Sequence, residues 1–119
     1  MTQTSYFTIN SLKEFSFIAG DEQILIFSFV NDLGIPIDIT TGIGRFWKMS
    51  PYGQPDIVSI SKTTTDTTIV DSSTFSINLL GIDTSILSGK YMHQVGLIDG
   101  VGRTFRPAQG VITIIPQIN

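Results

Sequence analysis

The sequence predicts an all-β sandwich of about seven to nine antiparallel strands, with one short helical turn near residues 82–87. Three observations predict it. Nineteen residues are Ile and fourteen are Thr, against two Ala; branching at Cβ restricts χ1 and suits a pleated surface better than a helix. Apolar residues recur with period two, as in Phe15-Ser16-Phe17-Ile18 and Glu22–Val30. Turn signals rich in Gly, Pro, Asn and Asp recur about every 8–12 residues, the spacing of a sandwich.

The chain has 119 residues, enough for one two-layer core. Its apolar fraction of 41% with 14% charged residues is that of a folded chain. Residues 1–14 are polar and mixed and predict a loosely held arm carrying a short strand, with Tyr6, Phe7 and Ile9 as anchors; residues 15–119 form the single domain. There is no cysteine, so neither a disulfide nor a thiolate metal site can form, in keeping with folding in a reducing cytoplasm. The first residues lack a basic segment followed by an apolar run, so no signal peptide is expected. Apolar runs fall short of the roughly 20 residues of a membrane-spanning helix, so no membrane partner is expected. A net charge of −3 and a pI of 4.7, with seven scattered basic residues, predict no nucleic-acid partner.

In chain order, Phe15–Ile18 reads as a strand closed by Ala19-Gly20-Asp21. The next strand puts Leu25, Phe27 and Phe29 on one face, the predicted core, and Ile24, Ile26, Ser28 and Val30 on the other. That second face is also largely apolar, so either the N-terminal arm or another subunit should cover it. Asn31-Asp32-Leu33-Gly34 reverses the chain, and Pro36 confines its own strand to an edge or to a strand start. Ile43–Met49 is the next strand, with Trp47, Ile43 and Met49 inward, which places Arg45 on the same face. Asp56–Ser61 reads as a short strand, and Thr68–Asp71 with Phe75–Leu80 as a hairpin. Asp83 caps the helical turn, and Ser88-Gly89 stops it. Tyr91–Ile98 is a central strand with Tyr91, His93, Val95 and Leu97 on one face. Asp99-Gly100 predicts a two-residue hairpin. Arg103–Arg106 and Gly110–Ile115 then make one or two last strands, interrupted by Pro107 and ended by Pro116.

Leu87-Ser88-Gly89-Lys90-Tyr91 resembles the tyrosine corner of immunoglobulin-like and fibronectin-like sandwiches, in which a Tyr opening the sixth strand sends its hydroxyl back to the preceding loop. From Gly20 to Pro116 the chain resembles the immunoglobulin-like N-terminal domain of phage baseplate upper proteins and related head and tail accessory domains. The resemblance is carried by Gly20-Asp21, by Asp32-x-Gly34-x-Pro36-x-Asp38-x-Thr40-x-Gly42, by Leu87-x-Gly89-x-Tyr91, by Val95-x-Leu97-x-Asp99, and by Gly110 followed by β-branched residues and Pro116. It implies an immunoglobulin-like fold and a non-enzymatic virion component that assembles with capsid, fibre or tail subunits in multiple copies. Leu33 and Ile35 depart from the polar tip usual for such a hairpin.

The residues offer little chemistry. His93 is the only histidine and has no neighbouring Ser or Asp at a spacing that makes a general base or a nucleophilic triad, so it reads as a core residue. Asn31, Asp32 and Asp38 carry oxygens that a calcium ion would accept, but the same side chains initiate turns. Gly42-Ile43-Gly44 and Gly100-Val101-Gly102 lack a third glycine and a following helix, so they read as turns. No catalytic residue, metal site or cofactor is therefore expected. The expected interface comprises Tyr6, Phe7, Ile24, Ile26, Val30, Leu33 and Ile35. Phe27, Phe29, Trp47, Tyr91, His93, Val95 and Leu97 are expected to be structural. The competing expectation is a carbohydrate-binding or adhesion module, with Tyr52 in Ser50-Pro51-Tyr52-Gly53-Gln54-Pro55 as its aromatic platform.

Overall fold

A computed structural model describes residues 2–8, 12–31, 33–40 and 44–118, with backbone alone at 105–108. Among the described residues, nine strands form two sheets. In chain order they are β1 (Thr2–Thr8), β2 (Phe15–Ile18), β3 (Glu22–Ser28), β4 (Gly44–Pro51), β5 (Ile60–Lys62), β6 (Thr67–Asp71), β7 (Thr74–Leu79), β8 (Gly89–Ile98) and β9 (Thr104–Ile115). One sheet runs β1-β3-β7-β6 and the other β2-β9-β8-β4-β5. Apart from the split first strand and the added β5, this is the strand order of the immunoglobulin sandwich.

The expectation of antiparallel strands needs correction, because both sheets are mixed. β1 runs parallel to β3, and β2 parallel to β9. Parallel neighbours need a crossover of a dozen or more residues. Here β2, which lies between them in the chain, runs back in the other sheet, so β3 returns in the direction of β1. The N-terminal stretch is thus a sheet edge with unbroken register from Thr2↔Glu22 to Thr8↔Ser28.

Alternation sets the core. Leu25, Phe27, Phe75, Ile77 and Leu79 face inward from one sheet, and Phe17, Trp47, Met49, Val95, Ile112 and Ile114 from the other. Phe7 stacks on Phe27 at 5.3 Å, and Phe75 contacts both Phe27 and Phe29 at 5.6 Å. Such ring pairs add about 0.5–1.5 kcal/mol each beyond their buried area. Phe27, Phe29, Trp47, Tyr91, His93 and Val95 are buried, and Leu97 packs against them half-buried. Arg45 does sit inward beside Trp47: its Nε donates to Thr67 Oγ1 at 2.9 Å and ties β4 to β6 of the facing sheet.

Several boundaries move. The short strand expected at Asp56–Ser61 is β5, beginning at Ile60. The helical turn is Gly81–Thr84, and Asp83 acts from its third residue, accepting the Leu80 N–H at 2.8 Å. Asp99-Gly100 begins a longer reversal, residues 99–103, because the Asp99 N–H reaches the Arg103 carbonyl and the residue with positive φ is Gly102. The last strand is continuous as β9, and the interruption expected at Pro107 is a register shift, where the pair Val95↔Ala108 is followed by Leu97↔Phe105. Tyr91 has its ring inward, and among the described residues its hydroxyl makes no hydrogen bond to the preceding loop. Ile9, Asp32, Ile43 and the Arg106 side chain lie outside the described residues.

Candidate interaction site

The loop 29–40 leaves β3 and is built to hold its middle outward. Asn31 Oδ1 accepts the N–H groups of Leu33 (2.9 Å) and Ile35 (3.0 Å), and the Gly34 N–H returns to the Asn31 carbonyl. Gly34 takes φ +79°, a conformation costly for other residues. Val30 then bridges Pro36, the Ile37 N–H reaches Phe29, and the Ile39 N–H reaches Ser72. Ile39 is fully buried and anchors the far side of the loop. The outcome is a hydrogen-bonded tip whose apolar side chains stay in water: Leu33 is 83% exposed and Ile35 54%.

This tip shares one end of the sandwich with the 72–73 turn and the 99–103 loop, since Gly44 pairs with Ile98 and Ile39 bonds Ser72. In that last loop Asp99 Oδ1 accepts the N–H groups of Val101 and Arg103, and Oδ2 accepts Arg103 Nε at 2.8 Å. The Arg103 N–H, ahead of the Val101 N–H and the Arg103 guanidinium, holds the Asp99 carboxyl below the usual carboxylate range. Val101 is thereby displayed at 78% exposure. The alternation pattern did not flag it, because Gly100-Val101-Gly102 reads only as a turn; the signal was an apolar residue between two turn glycines.

The other expected interface residues separate. Tyr6 projects from β1 into solvent, whereas Phe7 belongs to the core, in contact with Phe15, Phe27 and His93. The expectation of Phe7 in an interface is therefore corrected: adjacent strand residues point to opposite faces, and Phe7 has the inward one. Ile24, Ile26 and Val30 are half-buried. β1 lies beside their face instead of over it, and in register Thr4 and Tyr6 on one side and Asn78 and Ser76 on the other flank Ile24 and Ile26. Polar neighbours break up the apolar face that the sequence pattern suggested.

His93 Nδ1 accepts the Trp47 indole N–H at 2.9 Å, which fixes the neutral imidazole with its proton on Nε2. Nε2 has no partner among the described residues. Gly110, opposite His93 in register, makes room for it: a Cβ there would meet Nε2 at 2.8 Å. Two of the calcium candidates serve as turn formers, with Asp38 Oδ1 accepting the Thr40 N–H and hydroxyl and Asn31 Oδ1 accepting the N–H groups of the tip. Tyr52, half exposed, overlooks a shallow groove of about 380 Å³ lined by Gly53, Met92, Gln109 and Val111, and the Lys90 ammonium sits 4.2 Å from its ring centroid.

The chain matches no protein-family model and no curated protein. Among solved structures it superposes on the N-terminal domain of ORF48 of phage TP901-1 with a TM-score of 0.65 at 12% identity, covering 97% of this chain and 99% of that one. The cysteine protease inhibitor EhICP2 from Entamoeba histolytica superposes with a TM-score of 0.51 at 13% identity, covering 95% and 96%. At such identities the likeness is one of fold, and it spans the whole sandwich.

Proposed function

We propose that this chain is a non-enzymatic virion protein of a phage, made in the bacterial cytoplasm and acting through contacts with other virion proteins of the capsid, fibre or tail. The observation that carries the contact role is the tip. Leu33 and Ile35 are held in water by the Asn31 hydrogen bonds and the buried Ile39, so little ordering remains when a partner covers them. Covering Leu33 contributes about 1.5–3 kcal/mol and Ile35, already close to half covered, roughly half as much. That is weak for a lone copy and sufficient for many copies on one particle. The fold likeness to the ORF48 domain of phage TP901-1, end to end, supports the phage setting.

The test uses particles from the cells that encode the chain. Purified particles are expected to contain it in multiple copies, and Leu33→Asp with Ile35→Asp to leave it in the soluble fraction with its melting curve intact. Absence of the wild-type chain from purified particles would overturn the reading. One observation favours a second reading, carbohydrate binding: the groove beside Tyr52. A glycan array giving binding that disappears in Tyr52→Ala would install it in place of the first.

A further inference from the structure

Four strands end the two sheets, and three of them carry a device that blunts a free edge. β2 has four residues and β5 only three, while β6 bulges between Ile69 and Asp71. Short edges and bulges limit pairing with other chains. β1 has neither. It is seven residues long, in unbroken register with β3 on one side and, among the described residues, with no strand on the other, and it holds no charge and no proline. Its far side is a row of backbone N–H and C=O groups whose complement is another extended backbone.

We propose that β1 pairs antiparallel with β1 of a second copy, about a two-fold axis through Ser5, so that the two four-stranded sheets become one. Three observations select a second copy as the occupant. Ser5 is the midpoint of Thr2–Thr8, so pairing there engages every residue of both strands. An uncharged strand meets no like charge when it pairs with itself, and it has no charge with which to select a basic or acidic partner strand. Tyr6, 74% exposed on the outer face, comes opposite Thr4 of the second copy, and the two Tyr6 rings lie on a diagonal that aromatic side chains can span. The contact is isologous, as two-fold interfaces are, and it closes without leaving β1 open to filament growth. Edge-to-edge contact buries little area, so the dimer is concentration-dependent.

This inference deepens the assembly reading and rests on it only for the idea of multiple copies. Loss of the dimer would sink this contact alone, whereas absence from particles would sink the virion assignment. The test is sedimentation of the full chain up to about 1 mM, a concentration that registers an association of only about −4 kcal/mol. The mass is expected to rise from 13.0 kDa towards twice that value. Thr4→Lys is expected to weaken association at least tenfold, and Thr68→Lys on the β6 edge to leave it unchanged. The chain has no cysteine, so Ser5→Cys introduces a single thiol. Under mild oxidation it is expected to give a covalent dimer, and Lys13→Cys is not. If Thr4→Lys loses the native circular dichroism spectrum, the Ser5→Cys cross-link decides. A monomer over the whole range, equal weakening by Thr68→Lys, or a Ser5→Cys chain that stays monomeric would overturn the proposal.

Discussion

The imidazole of His93 is ringed by Phe7, Phe15, Phe27 and Trp47, with centroids 5.9–6.5 Å away, and its Nδ1 is already taken by the indole N–H. Burial in this apolar nest lowers its pKa from 6.5 to about 4. The unfolded chain therefore takes up a proton as pH falls through 6.5, and the folded chain only near 4. Stability from this group is complete above 6.5, declines by up to about 3 kcal/mol between 6.5 and 4, and changes no further below. Urea midpoints measured across that window should show the slope in the wild type and its loss in His93→Phe. An unchanged slope in the variant would assign the pH dependence elsewhere. The isolation of His93 from any Ser or Asp in the sequence foretold a core role. Its bond to Trp47, 46 residues away, was not legible, since no local pattern connects two strands of a sheet.

At the scale of elements, β1 and the tip draw their order from opposite sources. β1 is held by the long-range pairing with β3 and by one inward aromatic residue. Phe7→Ala is accordingly expected to cost about 3–5 kcal/mol in urea unfolding, as for other large core truncations. Tyr6→Ala, one residue away on the wet face, should stay within about 0.5 kcal/mol. Equal costs at the two positions would mean that β1 is not docked as described. The tip, by contrast, is ordered locally by Asn31, Gly34 and the Val30–Pro36 bridge, all within one short stretch of chain. For that reason its reversal could be read from the sequence, as could the β6–β7 hairpin. The 99–103 loop was underestimated because Asp99 reaches Arg103 as well as Val101, which favours a longer loop over the two-residue turn that Asp-Gly usually forms.

For the molecule as a whole, the two sheets share one core. Phe7 and Phe27 from one meet Phe15 and His93 from the other, and Arg45 on β4 bonds Thr67 on β6. Neither sheet can keep its inner face dry alone, so unfolding should be a single cooperative transition. Trp47, the only tryptophan, is fully buried in the five-stranded sheet and reports on the interior, while far-ultraviolet circular dichroism reports on all strands. Thermal curves from the two probes are expected to coincide; separated midpoints would show the sheets parting in sequence. Most contacts join strands distant in the chain, so folding should fall in the millisecond-to-second range of β-sandwiches.

By itself the sequence determined the all-β class, the near-complete set of strands and the inward rows through Phe27, Trp47 and Val95. Those features depend on Cβ branching and on a period of two, which are local. Only the tertiary structure decided that β1 lies parallel to β3, that β2 belongs to the opposite sheet, and that Phe7 turns inward while Tyr6 stays in water. Side-chain alternation is the same for parallel and antiparallel neighbours. Strand direction and sheet membership therefore emerge only once distant segments compete for the same edges and the same core.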